Sequence, residues 1–331
     1  MRNIQISAPR ERETLTRVQN GQIAFDVNPF FAQLPEALQF APIVSACCDN
    51  ENIYLLSRSY EHPIIRLDLE GAYISDFGRG LFRQTHDIIS TSEGTLIVVD
   101  ADAHAAYELD KQGTVLRVFG NPGHPSDSGY DANAYRKKQL KGQVIANDIG
   151  YDANWAFAES IRTILRAAPP FNKPTGIAQA ENGKLFFSDG YANAAVHRFN
   201  REGGHEKTFG GPETLMVPHA ICADTAGRLW VADREGNAIT VFSQDGEVLA
   251  KISGNFMQPT DLFATRDEVY VAERGGGLSV FDMHLQLVTQ LGYYRSPLIV
   301  HGMCSLPDRG ILLLPLGSNY GQSVVKLTRI Q

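Results

Sequence analysis

Three histidines, His86, His219 and His301, each open a similar hydrophobic segment of the sequence. Neutral imidazole nitrogens are good ligands for divalent transition metals, and a catalytic zinc centre typically uses three protein ligands and leaves one position open. A single histidine at the start of a strand is more often a hydrogen-bonded structural residue. Three of the nine histidines in one register favour a metal site, with zinc as the preferred ion and iron, cobalt or manganese as alternatives.

The segments that carry these histidines belong to a repeat. Each copy contains short apolar runs separated by Gly- and Asp-rich turns, which is typical of four antiparallel strands. Four strands in about 40 residues are typical of one propeller blade. We therefore predict an all-β fold, a six-bladed β-propeller in which the first position of every copy lies on one ring around the central channel. Six copies begin at Ile43, His86, Thr175, His219, Thr260 and His301, at spacings of 43, 89, 44, 41 and 41 residues.

The histidines occupy alternate copies of this repeat, the second, fourth and sixth. Alternate blades of a six-bladed propeller are related by a threefold rotation, so three imidazoles on one ring would converge on the channel axis. This is the arrangement that a metal centre with one open position requires. The other six histidines do not share the register and are interpreted as surface or structural residues: His62, His104, His124, His197, His205 and His284.

The repeat also sets the domain organisation. We predict one domain over residues 1–331, with a strand in the segment 16–25 that completes the last blade and so protects its edge. Residues 1–12 are expected to be unpaired and mobile. The long gap between the second and third copies predicts an insertion over residues 121–171, with a helical piece at 154–165. It is either a lid or substrate wall, or a decoration of the rim.

Basic and phenolic side chains follow the second strand of several copies. Arg58, Arg234 and Arg274 come directly after the residue that closes this strand, and Tyr191 lies one position further along. Guanidinium groups beside a metal cation indicate an anionic substrate such as a carboxylate. A tyrosine close to both cations is a candidate general base. The alternative is that these residues form only salt bridges and caps in turns.

The motifs around these residues resemble those of the NHL-repeat propellers, and specifically the lyase domain of the peptidylglycine α-amidating family. The resemblance covers residues 40–330. It is carried by Ser-Asp-Gly-Tyr at 188–191, Val-Pro-His at 217–219 and Asp-Arg-Glu at 233–235. The repeat alone would indicate a propeller, whereas these three motifs together are more specific.

This resemblance implies an enzyme, a carbon–nitrogen lyase of the peptidylamidoglycolate lyase type. In that family the reaction splits an N-acyl α-hydroxyglycine, a carbinolamide, into an amide and glyoxylate. Tyr191 would be the base, and Arg58 would bind the region of the carboxylate and hydroxyl, with Arg234 as a second active-site arginine. Zinc would be held by the three ring histidines, and Arg274 is a further candidate for substrate binding.

The sequence departs from the family at several positions. The aspartate that follows the third histidine and helps to bind a structural calcium is replaced by Gly302, so calcium is not expected unless Asp87 and Asp261 compensate. Ile299 replaces a methionine, and Ala192 stands where secreted members have a disulfide. With no monooxygenase domain and no signal peptide either, we expect a small N-acyl or N-carbamoyl hydroxy acid as substrate rather than a neuropeptide.

Composition excludes some classes of partner. The formal charge is −7 and the longest basic run is Arg136-Lys137-Lys138, which argues against nucleic-acid binding. No apolar stretch approaches membrane-spanning length and the N-terminus has no apolar signal region, so a cytoplasmic protein is expected. The four cysteines contain no CxxC pair and are interpreted as buried, reduced thiols. The sequence does not indicate an oligomeric state.

Two alternatives to the lyase remain at this level. One is a metal-dependent hydrolase such as a lactonase on the same propeller, although lactonase propellers usually hold calcium through Glu, Asp and Asn rather than three histidines. The other is a non-catalytic interaction scaffold of the NHL type, whose channel needs no metal. Absence of a stoichiometric transition metal from the purified protein would favour the scaffold.

Overall fold

The computed structural model describes residues 17–21, 23–39, 41–141, 153–254, 256–275, 277–292, 300–307, 310–315 and 324–330. The N-terminal segment forms β1 (Arg17–Asn20), β2 (Ile23–Asn28) and a short 3₁₀ helix (Glu36–Leu38). Blade one contains β3 (Ile43–Cys48), β4 (Asn52–Ser57), β5 (Ile64–Asp68) and β6 (Tyr73–Phe77). Blade two contains β7 (Thr85–Ser90), β8 (Leu96–Asp100), β9 (Ala105–Leu109) and β10 (Val115–Gly120).

The remaining blades follow the same plan after two helices, α1 (Ala134–Leu140) and α2 (Ala153–Ile161). Blade three contains β11 (Pro174–Gln179), β12 (Leu185–Asp189), β13 (Ala195–Phe199) and β14 (His205–Gly210). Blade four contains β15 (Pro218–Ala223), β16 (Leu229–Asp233), β17 (Ala238–Phe242) and β18 (Val248–Ser253). Blade five contains β19 (Pro259–Ala264), β20 (Glu268–Glu273), β21 (Leu278–Asp282) and β22 (Leu287–Leu291), and blade six contains β23 (Val300–Ser305), β24 (Ile311–Pro315) and β25 (Val325–Ile330).

The innermost strands of the six blades form a closed ring. Each of β3, β7, β11, β15, β19 and β23 contacts the next, and β23 contacts β3. The sheets are antiparallel throughout, as the short apolar runs between Gly turns require. The predicted six-bladed, all-β propeller is therefore confirmed, and its hydrophobic core lies between neighbouring blades, where for example Trp230 of blade four packs near Phe281 of blade five.

The N-terminal segment completes the last blade. Strand β2 pairs antiparallel with β25, with Phe25 opposite Arg329, and β1 adds a fifth strand outside it. The Phe25 side chain is fully buried, so this pairing adds apolar contact as well as backbone hydrogen bonds. The expectation that residues 16–25 supply a strand to blade six is confirmed, whereas the expectation for residues 1–12 falls outside the described residues.

A buried acid at the end of the second strand fixes the start of the inner strand in four blades. The carboxylates accept hydrogen bonds from backbone N–H groups of the loop that leads into the inner strand, which satisfies donors that would otherwise be buried without partners. Oxygen–nitrogen distances are 2.9 Å from Asp100 to Gln84, 2.6 Å from Asp189 to Asn172, 2.7 Å from Asp233 to Val217 and 2.6 Å from Glu273 to Met257. The repeated Asp or Glu therefore positions the first residues of the channel.

The insertion lies between β10 and β11. Its helices α1 and α2 pack against each other, and residues 142–152 between them are outside the described part of the chain. Neither helix has the length and apolar character that crossing a lipid bilayer would need. Cys47, Cys222 and Cys304 are buried thiols outside any disulfide, as expected, whereas Cys48 is half-buried. Burial raises the pKa of each of the three buried thiols.

Candidate metal centre and substrate cavity

A β-bulge occurs at the start of every inner strand. In blade two, for example, Thr85 pairs with Asp100 and Asp87 with Val99, which leaves His86 as the extra residue. A bulge of this kind re-aims one side chain out of the regular alternation. The six bulged residues are Val44, His86, Thr175, His219, Thr260 and His301. The predicted ring is therefore present, with one correction: in blade one the ring residue is Val44 rather than Ile43, which pairs regularly with Ser57.

The three histidines of this ring meet at the channel axis. Their ring centroids are 4.7 Å apart for His86 and His219, 5.0 Å for His86 and His301, and 5.2 Å for His219 and His301. One nitrogen from each lies within 4.8 Å of the others. The side chains are 1–6% exposed. Three convergent, buried imidazoles can hold a metal ion.

Each histidine is oriented by the ring residue of the next blade. The Nδ1 atoms of His86, His219 and His301 lie 2.5, 2.6 and 2.8 Å from the carbonyl oxygens of Thr175, Thr260 and Val44, respectively. A carbonyl only accepts hydrogen bonds, so each Nδ1 carries the proton and donates it. The Nε2 atoms, which the same tautomer leaves unprotonated, are therefore available as ligands.

The two threonines of the ring extend this network. The hydroxyl of Thr175 donates to the Pro218 carbonyl at 2.6 Å, and that of Thr260 donates to the Val300 carbonyl at 2.8 Å. Each threonine thus accepts a hydrogen bond from the preceding blade through its carbonyl and donates a hydrogen bond to the following blade through its hydroxyl. Hydrogen bonds therefore link the ring positions of successive blades from blade two round to blade one, a role of the threonines that the sequence pattern did not reveal.

The electrostatic environment keeps the imidazoles neutral. Burial, followed by the charges of neighbouring groups, lowers the pKa of His86 and of His219 well below the ordinary value. Burial and then the nearby Arg58 guanidinium lower the pKa of His301 to about 3. The Nε2 atom of His301 is buried and has no hydrogen-bond partner among the described residues. Three neutral nitrogens, one of them otherwise unsatisfied, fit a divalent transition metal.

Tyr191 lies directly against two of these nitrogens. Its hydroxyl is 2.8 Å from Nε2 of His86 and 3.1 Å from Nε2 of His219. The preceding residue must be glycine, because a Cβ at Gly190 would lie 2.3 Å from the Pro218 carbonyl oxygen. This close approach of the blade-three turn to blade four brings the phenol to the axis.

Arg234 holds the phenol from the other side. Its Nη1 donates to the Tyr191 hydroxyl at 3.4 Å, and its guanidinium lies 5.3 Å from the centre of the Tyr191 ring. The Nε and Nη2 atoms of Arg234 contact the Glu235 carboxylate oxygens at 2.8–2.9 Å. Burial alone would lower the pKa of Arg234, but Tyr191 and Glu235 raise it. Glu235 thus orients the Arg234 guanidinium so that its Nη1 atom faces the Tyr191 hydroxyl.

Two further arginines line the cavity above the ring. The backbone N–H groups of Arg58 and Arg274 donate to loop carbonyls at 3.1 and 2.9 Å, and that of Arg234 makes the same bond at 2.9 Å, so the three occupy equivalent positions in blades one, five and four. The Nε atom of Arg58 is buried without a partner among the described residues. Arg58 and Arg274 form no ion pair within the described part of the chain, which leaves both available to an anion.

The cavity has a volume of about 690 Å³ and combines these groups with side chains from the insertion. The polar lining includes five of the seven predicted site residues, namely Arg58, Tyr191, Arg234, Arg274 and His301, and also Glu235 and Lys173. Tyr130, Phe157 and Ala158 of the insertion also line the cavity and form one of its walls, which is one of the two roles expected for the insertion. A pocket of this size accommodates a small organic molecule.

Two half-buried carboxylates, Asp87 and Asp261, directly follow ring residues of blades two and five. Asp87 accepts hydrogen bonds from the Ser45 hydroxyl at 2.7 Å and the Ile177 N–H at 3.0 Å, and Asp261 accepts one from the Met303 N–H at 2.6 Å. Burial raises the pKa of both. They tie the inner strands of adjacent blades together.

Gly302, which directly follows the ring residue of blade six, has no room for a side chain. A Cβ at this position would lie 2.4 Å from the Val44 carbonyl oxygen, which is the atom that orients His301. The residue that replaces the family's aspartate is therefore required by the packing of blade six against blade one.

Comparisons with known proteins agree with this architecture. A family model for the NHL repeat matches residues 215–242, within blade four. A probable peptidyl-α-hydroxyglycine α-amidating lyase of Caenorhabditis elegans is 24% identical over 203 residues, which cover 59% of this chain and 44% of the worm protein. The chain thus spans less than half the length of that relative.

Solved structures show the same fold at lower identity. The virginiamycin B lyase from Staphylococcus aureus superposes with a TM-score of 0.60 at 15% identity, covering 92% of this chain and 100% of that one. A gluconolactonase from Xanthomonas campestris has a TM-score of 0.61 at 13% identity, covering 95% and 94%. At these identities the likeness concerns the fold alone. The chain is a six-bladed β-propeller that has a match to the NHL repeat in one blade and resembles a peptidyl-α-hydroxyglycine α-amidating lyase.

Proposed function

We propose that this protein is a metal-dependent lyase that cleaves the C–N bond of a small N-acyl α-hydroxyglycine, or a closely related carbinolamide, to give an amide and glyoxylate. The observation that carries the proposal is the position of the Tyr191 hydroxyl within 3.1 Å of two convergent histidine nitrogens. The similarity to the worm lyase supports the same reaction class. The substrate would be a small molecule with a carboxylate, handled in the cytoplasm.

Zinc is the ion that we propose for the three histidines, because the donor set is three neutral imidazole nitrogens. Bound there, it would supply a Lewis acid that lowers the pKa of the substrate's α-hydroxyl. Another divalent transition metal would provide the same chemistry with the same ligands.

The chain's own residues account for the remaining steps. Arg58 binds the substrate carboxylate, with Arg274 as a second cation at the same rim. Tyr191 acts as the base in its phenolate form, which Arg234 stabilises by charge and by its hydrogen bond, and it becomes the neutral phenol when it accepts the proton of the α-hydroxyl. As the carbonyl of glyoxylate forms, the electron pair of the C–N bond passes to the nitrogen. The proton held by Tyr191 then completes the amide, so that atoms and charge balance.

A lactonase-type hydrolase is the second candidate, because a gluconolactonase shares the fold. Both enzymes would need a metal, so the reaction products distinguish them. A non-catalytic scaffold is the third candidate and would need none.

The proposal is tested by incubating metal-loaded protein with α-hydroxyhippurate and measuring glyoxylate and benzamide, beside elemental analysis of the purified protein. Stoichiometric zinc and release of both products are expected. Metal without cleavage of any hydroxyglycine would exclude the lyase and favour a hydrolase, which a lactone panel would then reveal. Absence of any stoichiometric transition metal would favour the scaffold.

A further inference from the structure

Hydrogen bonds join the described part of the insertion to the loop that carries Tyr191. The Ser128 hydroxyl donates to the Ala192 carbonyl at 2.6 Å. The Asn193 side chain bonds the backbone of Ala168 in both directions, at 2.7 and 3.2 Å. The Leu165 N–H returns to the Ser128 carbonyl at 2.8 Å. These bonds attach the described part of the insertion, at Ser128 and Ala168, to the blade-three loop beside the cavity.

An apolar cluster joins the insertion to the propeller. Ile161 and Ile164 are buried against Ala194 and Val217, and three aromatic side chains, Tyr130, Phe157 and Tyr191, pack on this group. The Phe157 ring meets the Tyr191 ring edge to face, with centroids 5.9 Å apart. One contact of Phe157 is therefore with the proposed base itself.

Phe157 and Tyr130 are only partly buried, and both line the cavity. The Arg234 guanidinium lies 5.5 Å from the centre of the Phe157 ring, so this ring also touches the cation that holds Tyr191. Apolar surface that remains in a polar cavity is typical of a site that binds an apolar group.

The two cavity arginines that form no ion pair among the described residues lie on different blades from those that carry the apolar wall. Arg58 follows the second strand of blade one and Arg274 that of blade five, on either side of His301 in blade six. The insertion covers blades three and four, across the axis. The carboxylate and the N-acyl group leave the carbinol carbon in different directions. A substrate whose carboxylate binds Arg58 and whose hydroxyl lies at the axis therefore directs its acyl group towards Phe157.

We propose that Tyr130 and Phe157 form an acyl-binding wall that selects carbinolamides with an aromatic or bulky apolar acyl group over those with an acetyl or carbamoyl group. The inference deepens the proposed function and rests on it for the identity of the substrate. It assigns to the insertion a role in specificity, with Phe157 as the main contact.

The first test measures binding without catalysis. Hippurate and N-acetylglycine carry the same carboxylate and amide but lack the hydroxyl, so neither is cleaved. Calorimetry on zinc-loaded protein should show hippurate bound about tenfold more tightly than N-acetylglycine, and Phe157→Ala should reduce this ratio about fivefold, as expected for loss of an aromatic pair. Leu140→Ala, in the same insertion but 82% exposed, should leave the ratio unchanged.

A uniform loss of affinity for both ligands in Phe157→Ala would overturn the proposal, because the ring would then only support Arg234 and Tyr191. An unchanged ratio would overturn it as well. If Phe157→Ala does not fold, Tyr130→Ala and Phe157→Leu are measured in the same way, and a reduced ratio is again required.

The second test compares turnover of α-hydroxyhippurate and N-acetyl-α-hydroxyglycine. The ratio of kcat/KM should favour the benzoyl substrate in the wild type and fall in Phe157→Ala. Cleavage of both substrates with equal efficiency by the wild type would reject the wall while leaving the lyase intact. Cleavage of neither substrate would reject the lyase. The ratio of the affinities for hippurate and N-acetylglycine would then still decide whether the wall recognises acyl groups.

Discussion

The Tyr191 hydroxyl lies 2.8 Å from Nε2 of His86, although 105 residues separate them along the chain. The contact joins the turn of blade three to the inner strand of blade two, at the point where the ring histidines converge. A phenol in this position shares the immediate environment of any ion that the histidines hold. Tyr191 is for this reason the residue whose replacement is most informative.

Replacing Tyr191 by phenylalanine should abolish most of the activity and spare the metal. The variant removes only the hydroxyl, so kcat for glyoxylate release should fall by about 10²–10⁴-fold, the usual contribution of a positioned general base. Metal content, measured by elemental analysis of the same preparation, should equal that of the wild type. Full activity in this variant would exclude Tyr191 as the base.

Replacing His219 by alanine should release the metal, because only two protein ligands remain. Metal content is measured after dialysis, and the melting temperature of the wild type should also fall when a chelator removes the ion, since a bound ligand stabilises the folded state. His284→Ala is the matched control, because His284 lies in an exposed turn. Equal metal content in wild type and His219→Ala would contradict the three-histidine site.

Replacing Arg58 by alanine should weaken substrate binding more than it slows the chemical step. Loss of a charge-assisted carboxylate contact costs about 1.5–3 kcal/mol, which corresponds to a rise in KM of about ten- to a hundredfold. Arg58→Lys should recover part of this loss, because it restores the charge without the planar guanidinium. Steady-state kinetics on α-hydroxyhippurate measure both variants, and an unchanged KM would assign the carboxylate to another cation.

Replacing Gly302 by aspartate should destabilise the protein instead of creating a calcium site. The added Cβ meets the Val44 carbonyl at 2.4 Å, and a backbone shift there would also displace the hydrogen bond that orients His301. A loss of more than about 3 kcal/mol in the free energy of unfolding, typical of overpacking and a disrupted buried network, is expected. Denaturant unfolding measures it, with Gly204→Asp in an exposed turn as the control. Wild-type stability with stoichiometric calcium would reverse this expectation.

The metal-free protein should lose stability in mild acid. The pKa of His301 is lowered to about 3 in the folded state, against about 6.5 when unfolded. Between pH 3 and pH 6.5 the unfolded chain therefore binds more protons at His301 than the folded chain does. The free energy of unfolding is highest above about pH 6.5, where His301 is neutral in both states, and it decreases as the pH falls towards 3. The slope is at most about 1.4 kcal/mol per pH unit for one histidine.

His301→Asn should show a shallower decline over that window in denaturant unfolding at several pH values. Because the comparison is a difference between two proteins, the contributions of Asp87 and Asp261 cancel to first order. Identical slopes would mean that His301 is not a buried neutral base.

The sequence predicted those parts of the molecule that repeat. The blade count and the histidine register follow from a pattern that returns every 40 or so residues, and the N-terminal strand follows from the edge that blade six would otherwise expose. The one ring residue that the repeat pattern placed wrongly is Ile43. A bulge shifts the alternation by one residue, and in blade one no histidine marks the bulged position, which is Val44.

The missed residues are those that no repeat constrains. Phe157 belongs to the insertion, where there is no second copy with which to compare it, and only its contacts with Tyr191 and Arg234 reveal its place in the cavity. Glu235 stands beside Arg234 in the sequence. Its hydrogen bonds to the guanidinium through both carboxylate oxygens depend on side-chain geometry, which the sequence does not specify.

The pairing of Phe25 with Arg329 has a consequence for how the site is assembled. Blade six, which holds one of the three imidazoles, is completed by strands from opposite ends of the described chain. Closure of the six-bladed ring through β2 and β25 should therefore favour the binding of an ion by all three imidazoles. Ion binding should in turn favour closure of the ring. Disruption of the β2–β25 pairing, for example by proteolysis, should therefore lower the affinity of the three histidines for the ion.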